Sequence, residues 1–112
     1  MHITVTVIDG VHGQPAEGIE VSIVSRHNGL QVDETKGHTD GRGQLEYSDR
    51  HPSPASGVTY HVEIDIDSYF ATLGIVSWHK KVATLFRVLD PEDAYQIVSL
   101  ITPFTQVMSC VR

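Results

Sequence analysis

A chain of 112 residues can form one domain with a single core but is too short for two ordinary ones, so we expect a single domain over residues 1–112. Apolar residues make up 40% of the chain and charged residues 20%, a globular rather than a disordered composition. The formal net charge of -6 argues against nucleic acid and anionic membranes as partners, because both would repel the protein.

The sequence also suggests a cellular compartment. The single cysteine, Cys110, excludes an intrachain disulfide and fits a reducing environment. No apolar run approaches the roughly 20 residues that a membrane helix needs, and the first residues contain no signal-like block. We therefore expect a soluble, cytoplasmic protein.

The first half of the chain is dominated by alternation of apolar and polar residues, which is the period of a half-buried strand. This alternation predicts strands at residues 3–7 and 19–23 and a short strand at 30–32. An Asp-Gly pair within residues 39–43 predicts a tight turn, since these residues tolerate positive φ. Residues 48–57 are rich in Pro, Ser and Gly and predict an exposed loop.

The second half contains the one predicted helix. Alternation returns at residues 60–65, and residues 67–74 then break it. This break predicts a short helix with Asp67 or Ser68 as its N-cap and Gly74 at its end. Further strands are predicted at residues 82–88, 95–102 and 105–111, with a turn at 90–93. Seven or eight short strands with one short helix predict an all-β sandwich.

Several segments, taken in order, resemble the transthyretin family. Residues 5–16 (VTVIDGVHGQPA) are similar to its opening strand and Gly-x-Pro-Ala turn. Residues 60–65 (YHVEID), with the following 68–70 (SYF) and 73–75 (LGI), resemble its strand-then-helix segment. Phe86 and residues 95–104 (YQIVSLITPF) resemble its penultimate strand and closing turn. The resemblance implies a transthyretin-like (prealbumin-like) β-sandwich of seven to eight strands.

The family has two branches, and both assemble. Transthyretin is a non-catalytic tetramer that carries thyroid hormone in a channel between subunits. Hydroxyisourate hydrolase opens the ring of a purine catabolite at the equivalent channel. The resemblance therefore implies edge strands that pair across a homodimer, and two dimers that join into a homotetramer. Exposed strand edges give a physical reason for such pairing.

The residues that the hydrolase branch uses are only partly present. That branch has a histidine in the first strand, an arginine after the Asp-Gly turn, a histidine in the penultimate strand and a terminal Tyr-Arg-Gly-Ser. Here Thr6 and Gln96 occupy the histidine positions, Arg42 matches the arginine, and residues 109–112 read Ser-Cys-Val-Arg. Threonine and glutamine do not accept a proton near neutral pH, and losing acid–base assistance costs about 10²–10⁴ in rate. The sequence therefore predicts that the standard hydrolase reaction does not run here.

Strand parity outlines the face that would line the channel. If Gln96 faces it, residues of the same parity on the last two strands do so as well, with Thr4 and Thr6 on the first strand. The expected ligand-binding residues are Thr4, Thr6, Arg42, Gln96, Val98, Leu100, Val107, Ser109, Val111 and Arg112. An apolar tube with hydroxyls and an amide suits a small planar or cyclic metabolite. The apolar members of this set are equally suited to a plain subunit interface, and Arg42 to a solvated turn beside Asp40.

Two main functions remain open. The first is a diverged binding protein, which would be a homotetramer with a small-molecule ligand and no cofactor. The second is a repurposed enzyme on the same scaffold, a hydrolase, isomerase or cyclase of a small reactive metabolite, for example in a biosynthetic pathway. Arg42, Gln96, Thr6 and Ser109 would then orient the substrate and stabilise developing negative charge. A purely structural role, with side chains filling the channel, is a further alternative.

The other candidate constellations favour no metal site and no nucleophile. The seven histidines show no close pair at a metal-binding interval. Glu63, Asp65 and Asp67 share one face, but a solvated sheet face explains them better than a cation site, because no calcium-loop pattern accompanies them. Cys110 has the parity opposite to the channel, which favours a buried, inert thiol.

Overall fold

The computed structural model of the protein describes residues 1–48, 58–90 and 92–112. In these residues it contains nine strands and one helix, α1 (Ile66–Thr72). The strands are β1 (His2–Asp9), β2 (Gln14–Pro15), β3 (Glu20–His27), β4 (Leu30–His38), β5 (Gln44–Ser48), β6 (Val58–Asp65), β7 (Lys81–Arg87), β8 (Ala94–Ile101) and β9 (Gln106–Val111). The loop predicted at 48–57 lies, apart from Ser48, outside the described residues, as does Pro91 of the turn predicted at 90–93.

The strands form two sheets. In sheet A, β5 and β2 both pair along one edge of β1, and β8 and β9 follow on its other side. Sheet B has the order β4-β3-β6-β7. Strands β1 and β8 run parallel, whereas β9 runs antiparallel to β8. The predicted all-β sandwich is confirmed.

Alternation places one parity of each central strand between the sheets. Fully burying such an aliphatic side chain contributes about 1.5–3 kcal/mol relative to leaving it in water. The buried side chains that face each other across the core include Ile3, Val5, Val7, Val21, Ile23, Val62, Ile64 and Ile97. Because side chains of this parity fill the core, the side chains of the other parity in β1, β8 and β9 point out of the sandwich.

The helix begins earlier than predicted. Asp65, rather than Asp67 or Ser68, is the N-cap, and its carboxylate accepts hydrogen bonds from the Ser68 N–H (3.1 Å) and hydroxyl (2.8 Å). Asp67 lies in the first helical turn, where the helix dipole stabilises a negatively charged carboxylate. Gly74 follows the C-cap with φ +74, as predicted for the end of the helix. The described part of the chain has no helix of the length and apolarity that a membrane span requires.

Two strands differ from the expectation. The strand predicted at 30–32 extends to His38, and β5 was not predicted. Most of β4 is exposed on both sides, so its sequence shows no apolar alternation. Its hydrogen bonds to β3 hold it in the sheet instead, with Glu20 opposite His38 and Ser25 opposite Asp33.

Candidate functional site

The outer face of sheet A consists of the side chains that β1, β5, β8 and β9 direct away from the core. Cross-strand pairing arranges these side chains in four rows. Row 1 is Ile8, Leu100 and Val107; row 2 is Gln44, Thr6, Val98 and Ser109; row 3 is Glu46, Thr4, Gln96 and Val111; row 4 is Ser48, His2 and Ala94. The predicted channel residues of β1, β8 and β9 therefore lie together on one face.

Row 1 is an exposed apolar strip. Ile8 is 36% exposed, Leu100 42% and Val107 65%, although each belongs to a strand whose other parity fills the core. Val98 of row 2 and Val111 of row 3 extend the strip along β8 and β9, and both are exposed. A contiguous apolar patch on an outer sheet face is typical of a ligand or subunit contact.

Polarity increases from row 2 to row 4. In row 2 the Gln44 side-chain amide lies 3.4 Å from the Thr6 hydroxyl, to which it donates, and Ser109 is exposed. Row 3 adds the exposed amide of Gln96 beside Thr4. The face thus changes from aliphatic at one end to hydrogen-bonding at the other.

Arg42 lies in a fixed turn immediately before β5. The Asp40 carboxylate accepts hydrogen bonds from the backbone N–H groups of Arg42 (2.8 Å) and Gln44 (3.0 Å). These hydrogen bonds, followed by the nearby Arg42 charge, hold the pKa of Asp40 below its usual range. Gly43 has φ +73 and an ideal Cβ there would lie 2.5 Å from the Val7 carbonyl oxygen, so the turn is locked against β1. Arg42 is exposed and lies two residues before Gln44 of row 2.

Arg112 is not brought to this face. It follows Val111 on the opposite parity, and its Nε donates to Asp93 Oδ2 over 2.8 Å. Asp93 Oδ2 also accepts a hydrogen bond from the Tyr95 hydroxyl at 3.3 Å. Arg112 therefore anchors the end of β9 to the start of β8.

Sequence reasoning missed a cluster in row 4. His2 Nδ1 lies 2.7 Å from the Ser48 hydroxyl oxygen, and His2 Nε2 lies 4.0 Å from Glu46 Oε1. The His2 side chain is 41% exposed. We call these three residues the His2 cluster. Parity could have placed His2 on this face, because His2 alternates in step with Thr4 and Thr6, but it could not have identified Ser48 and Glu46 as its neighbours.

A second unpredicted cluster surrounds Asp9 at the other end of β1. The buried Asp9 carboxylate accepts hydrogen bonds from Val11 N–H (2.8 Å), His12 N–H (3.0 Å), His12 Nδ1 (2.7 Å) and the Tyr69 hydroxyl (2.8 Å). Burial alone would raise the pKa of Asp9, but these hydrogen bonds outweigh it and lower that pKa below its usual value. Burial and the bond to Asp9 raise the pKa of Tyr69 to about 12. The cluster ties α1 to the turn after β1.

Metal-binding groups and the single cysteine are the remaining candidate side chains. Within residues 1–48, 58–90 and 92–112, no group of three or more His, Cys, Asp or Glu could hold a metal ion. Cys110 packs against the core, on the parity opposite to Ser109 and Val111, as predicted. Burial raises the pKa of its thiol, which disfavours the reactive thiolate.

Comparison with known proteins identifies the fold and the family. Transthyretin of sea bream in complex with thyroxine superposes with a TM-score of 0.80 and 24% identity, over 97% of this chain and 93% of that chain. Transthyretin from Sparus aurata superposes with a TM-score of 0.78 and 24% identity, over 97% and 95% of the two chains. These structures confirm the transthyretin-like fold. Since the model of the HIUase/Transthyretin family matches residues 3–108, the chain belongs to that family.

Proposed function

We propose that the protein is a homotetramer that binds a small planar or cyclic metabolite between subunits, on the outer face of sheet A, without the standard hydrolase chemistry. The observation that carries the proposal is row 1. Its three aliphatic side chains are side by side and exposed on a folded subunit, so a partner or ligand that covers them gains apolar burial. The thyroxine complex of the sea bream relative supports a small aromatic ligand.

The edges of the two sheets support assembly. In the described residues, β9 pairs only with β8 and β7 only with β6, so each has an unpaired edge. These two strands also contact each other at the same side of the sandwich. Unpaired backbone groups of this kind favour pairing with a second copy. Such a dimer would align two copies of the outer face of sheet A.

The absence of imidazole at the hydrolase positions supports binding rather than hydrolysis. Thr6 and Gln96 lie on adjacent strands, in rows 2 and 3, where the family resemblance places the catalytic histidines. Neither side chain titrates near neutral pH. We expect no acceleration of hydroxyisourate decay over buffer in an ultraviolet assay.

A matched pair of variants tests the proposal. Val107→Glu places a charge in row 1, whereas Val32→Glu places the same charge on β4 of sheet B; the two valines are 65% and 66% exposed, each on an edge strand. We expect Val107→Glu to reduce the sedimenting mass and to abolish binding of flat hydrophobic acids in isothermal titration. Val32→Glu should retain both properties. A monomeric wild-type protein, or equal behaviour of the two variants, would contradict the proposal.

One observation favours the alternative of a repurposed enzyme. The Asp40 turn fixes the backbone of Arg42 next to a face that carries hydroxyls and an amide rather than bulky side chains. A planar guanidinium held there suits a carboxylate or enolate that develops during a reaction. On this alternative, Arg42→Ala and Gln96→Ala each lower turnover of an identified substrate. Unchanged turnover in both variants would rule out these site residues.

A further inference from the structure

The His2 cluster lies next to the polar rows of the outer face. His2 shares its strand face with Thr4, and residues two apart on a strand are separated by about 6.7 Å. This spacing is comparable to the width of a small planar ring system. Opposite His2, β8 carries Ala94, whose side chain is too small to cover the imidazole. A flat molecule lying on Ala94 and Gln96 therefore has its end within reach of the His2 ring.

The hydrogen bonding of His2 leaves one ring nitrogen for such a molecule. Nδ1 is occupied by Ser48 at 2.7 Å, and this bond fixes the ring orientation. Nε2 lies 4.0 Å from Glu46 Oε1, which is too far for a hydrogen bond, so this nitrogen remains open to a ligand. When Nδ1–H donates to Ser48, Nε2 carries a lone pair and can accept a proton.

We propose that His2, held by Ser48, is the proton acceptor of the outer face of sheet A, and that this face selects planar compounds with a weakly acidic O–H or N–H group. The inference rests on the proposed function and specifies its ligand class. On binding, the acidic proton moves to His2 Nε2, which leaves the ligand as an anion beside the imidazolium. Imidazole suits this exchange because one ring nitrogen can accept the proton while the other keeps its hydrogen bond to Ser48.

Other charged groups at this end of the sheet do not replace His2. The Asp93 carboxylate is paired with Arg112, and its backbone carbonyl accepts the His2 N–H at 3.1 Å. On β5 the groups facing His2 are the Ser48 hydroxyl and the Glu46 carboxylate, and on β8 the facing residue is Ala94. Among the described side chains in rows 1 to 4, His2 is the only imidazole.

Two probes that differ by one methyl group test this inference. 4-Nitrophenol has an acidic hydroxyl, whereas 4-nitroanisole is its methyl ether and cannot release a proton. At a pH slightly below the pKa of free 4-nitrophenol, we expect the protein to bind 4-nitrophenol about tenfold more tightly than 4-nitroanisole. This factor corresponds to the free energy of about one hydrogen bond to a charged group. The bound phenol should show the visible absorption band of its phenolate, and the NMR resonances of the His2 ring should change their chemical shifts.

Variants assign these effects to the cluster. His2→Gln should remove both the preference for the phenol over 4-nitroanisole and the phenolate band. Ser48→Ala should weaken the preference, because the ring loses its anchor. His27→Gln, at an exposed histidine that ends β3 of sheet B, is the control and should behave as the wild type. Circular dichroism verifies that each variant is folded.

The outcomes separate this inference from the function on which it rests. Equal binding of both probes by the wild type, or a phenolate band that survives His2→Gln, overturns the role of His2 and leaves the proposed binding function standing. Failure of the wild type to bind either probe overturns both.

Discussion

Tyr69→Phe tests whether the Asp9 cluster stabilises the fold as its geometry indicates. The substitution removes one hydroxyl and retains the ring, which packs against Phe70 with centroids 5.1 Å apart. The lost hydroxyl donates to Asp9 Oδ2 over 2.8 Å and joins α1 to the end of β1. The Asp9 carboxylate keeps three other donors, from Val11 and His12.

The expected cost follows from the charge of the acceptor. A hydrogen bond to a charged group contributes about 1.5–3 kcal/mol to stability. Because three donors remain on Asp9 and Tyr69 is partly exposed, we expect the lower end, about 1.5 kcal/mol less free energy of unfolding at pH 7. In an Asp9→Asn background the acceptor is neutral, so removing the Tyr69 hydroxyl should cost only about 0.5–1 kcal/mol.

The pH dependence of the cost gives an independent check. The pKa of Tyr69 is raised to about 12 in the folded state from an ordinary value of 10.0, so its contribution is complete below pH 10 and is lost as pH rises toward 12. The pKa of Asp9 is lowered from 3.8, so its contribution is present above that value and is lost as pH falls through the folded-state pKa. The difference between wild type and Tyr69→Phe should therefore shrink at both extremes.

Urea unfolding at one fixed protein concentration measures these values, since assembly would make stability depend on concentration. Wild type, Tyr69→Phe, Asp9→Asn and the double variant complete the cycle. A cost that does not shrink as pH falls below 3.8 or rises toward 12, or one that is identical in the Asp9→Asn background, would refute the reasoning.

Three other features give direct predictions. The Ser99 hydroxyl is buried with no hydrogen-bond partner among the described residues, so Ser99→Ala should raise the free energy of unfolding by about 1 kcal/mol in urea titration, and a decrease would show that a partner exists. Gly43→Ala should lower that free energy by at least about 2 kcal/mol, because φ is +73 and the added Cβ meets the Val7 carbonyl; Gly29→Ala, with φ +78 and open space, is the control for backbone strain alone. Cys110 should react with a thiol reagent at neutral pH more slowly than a free cysteine, since burial raises its pKa, and a rate equal to that of the free thiol would contradict this.

Alternation predicted the central strands because burial on one side determines their residue types. In β1, β6 and β8 every second residue enters the core, so the apolar period is visible in the sequence. Burial constrains the residue types of edge strands less strongly. The exposed residues that follow Val32 in β4 are held by backbone pairing rather than by burial, so their sequence carries no apolar period. Strand β5 does alternate, with Leu45 and Tyr47 packed against the core, but its five residues are a short run with only two apolar positions.

Side-chain clusters between distant residues were beyond local patterns for a different reason. Asp9 and Tyr69 are 60 residues apart, and His2 and Ser48 are 46 apart, so only the folded chain brings each pair together. Parity placed Thr4 and Thr6 on one face with Gln96 but said nothing about which neighbour pairs with His2. That information lies in the register of β1 against β5, which aligns His2 with Ser48.

The order of the four rows has a consequence for the proposed ligand. Row 1 is aliphatic, rows 2 and 3 add hydroxyls and amides, and row 4 contains the His2 cluster. A ligand at His2 that is apolar throughout leaves the polar groups of rows 3 and 4 without water or partner, and a ligand that is polar throughout leaves Val98 of row 2 uncompensated. An amphipathic planar molecule satisfies both ends. On the proposed function, its acidic group reaches His2, its body lies on Ala94 and Gln96, and its apolar end points toward Val98, so the register of β1 and β8 determines both ligand class and orientation.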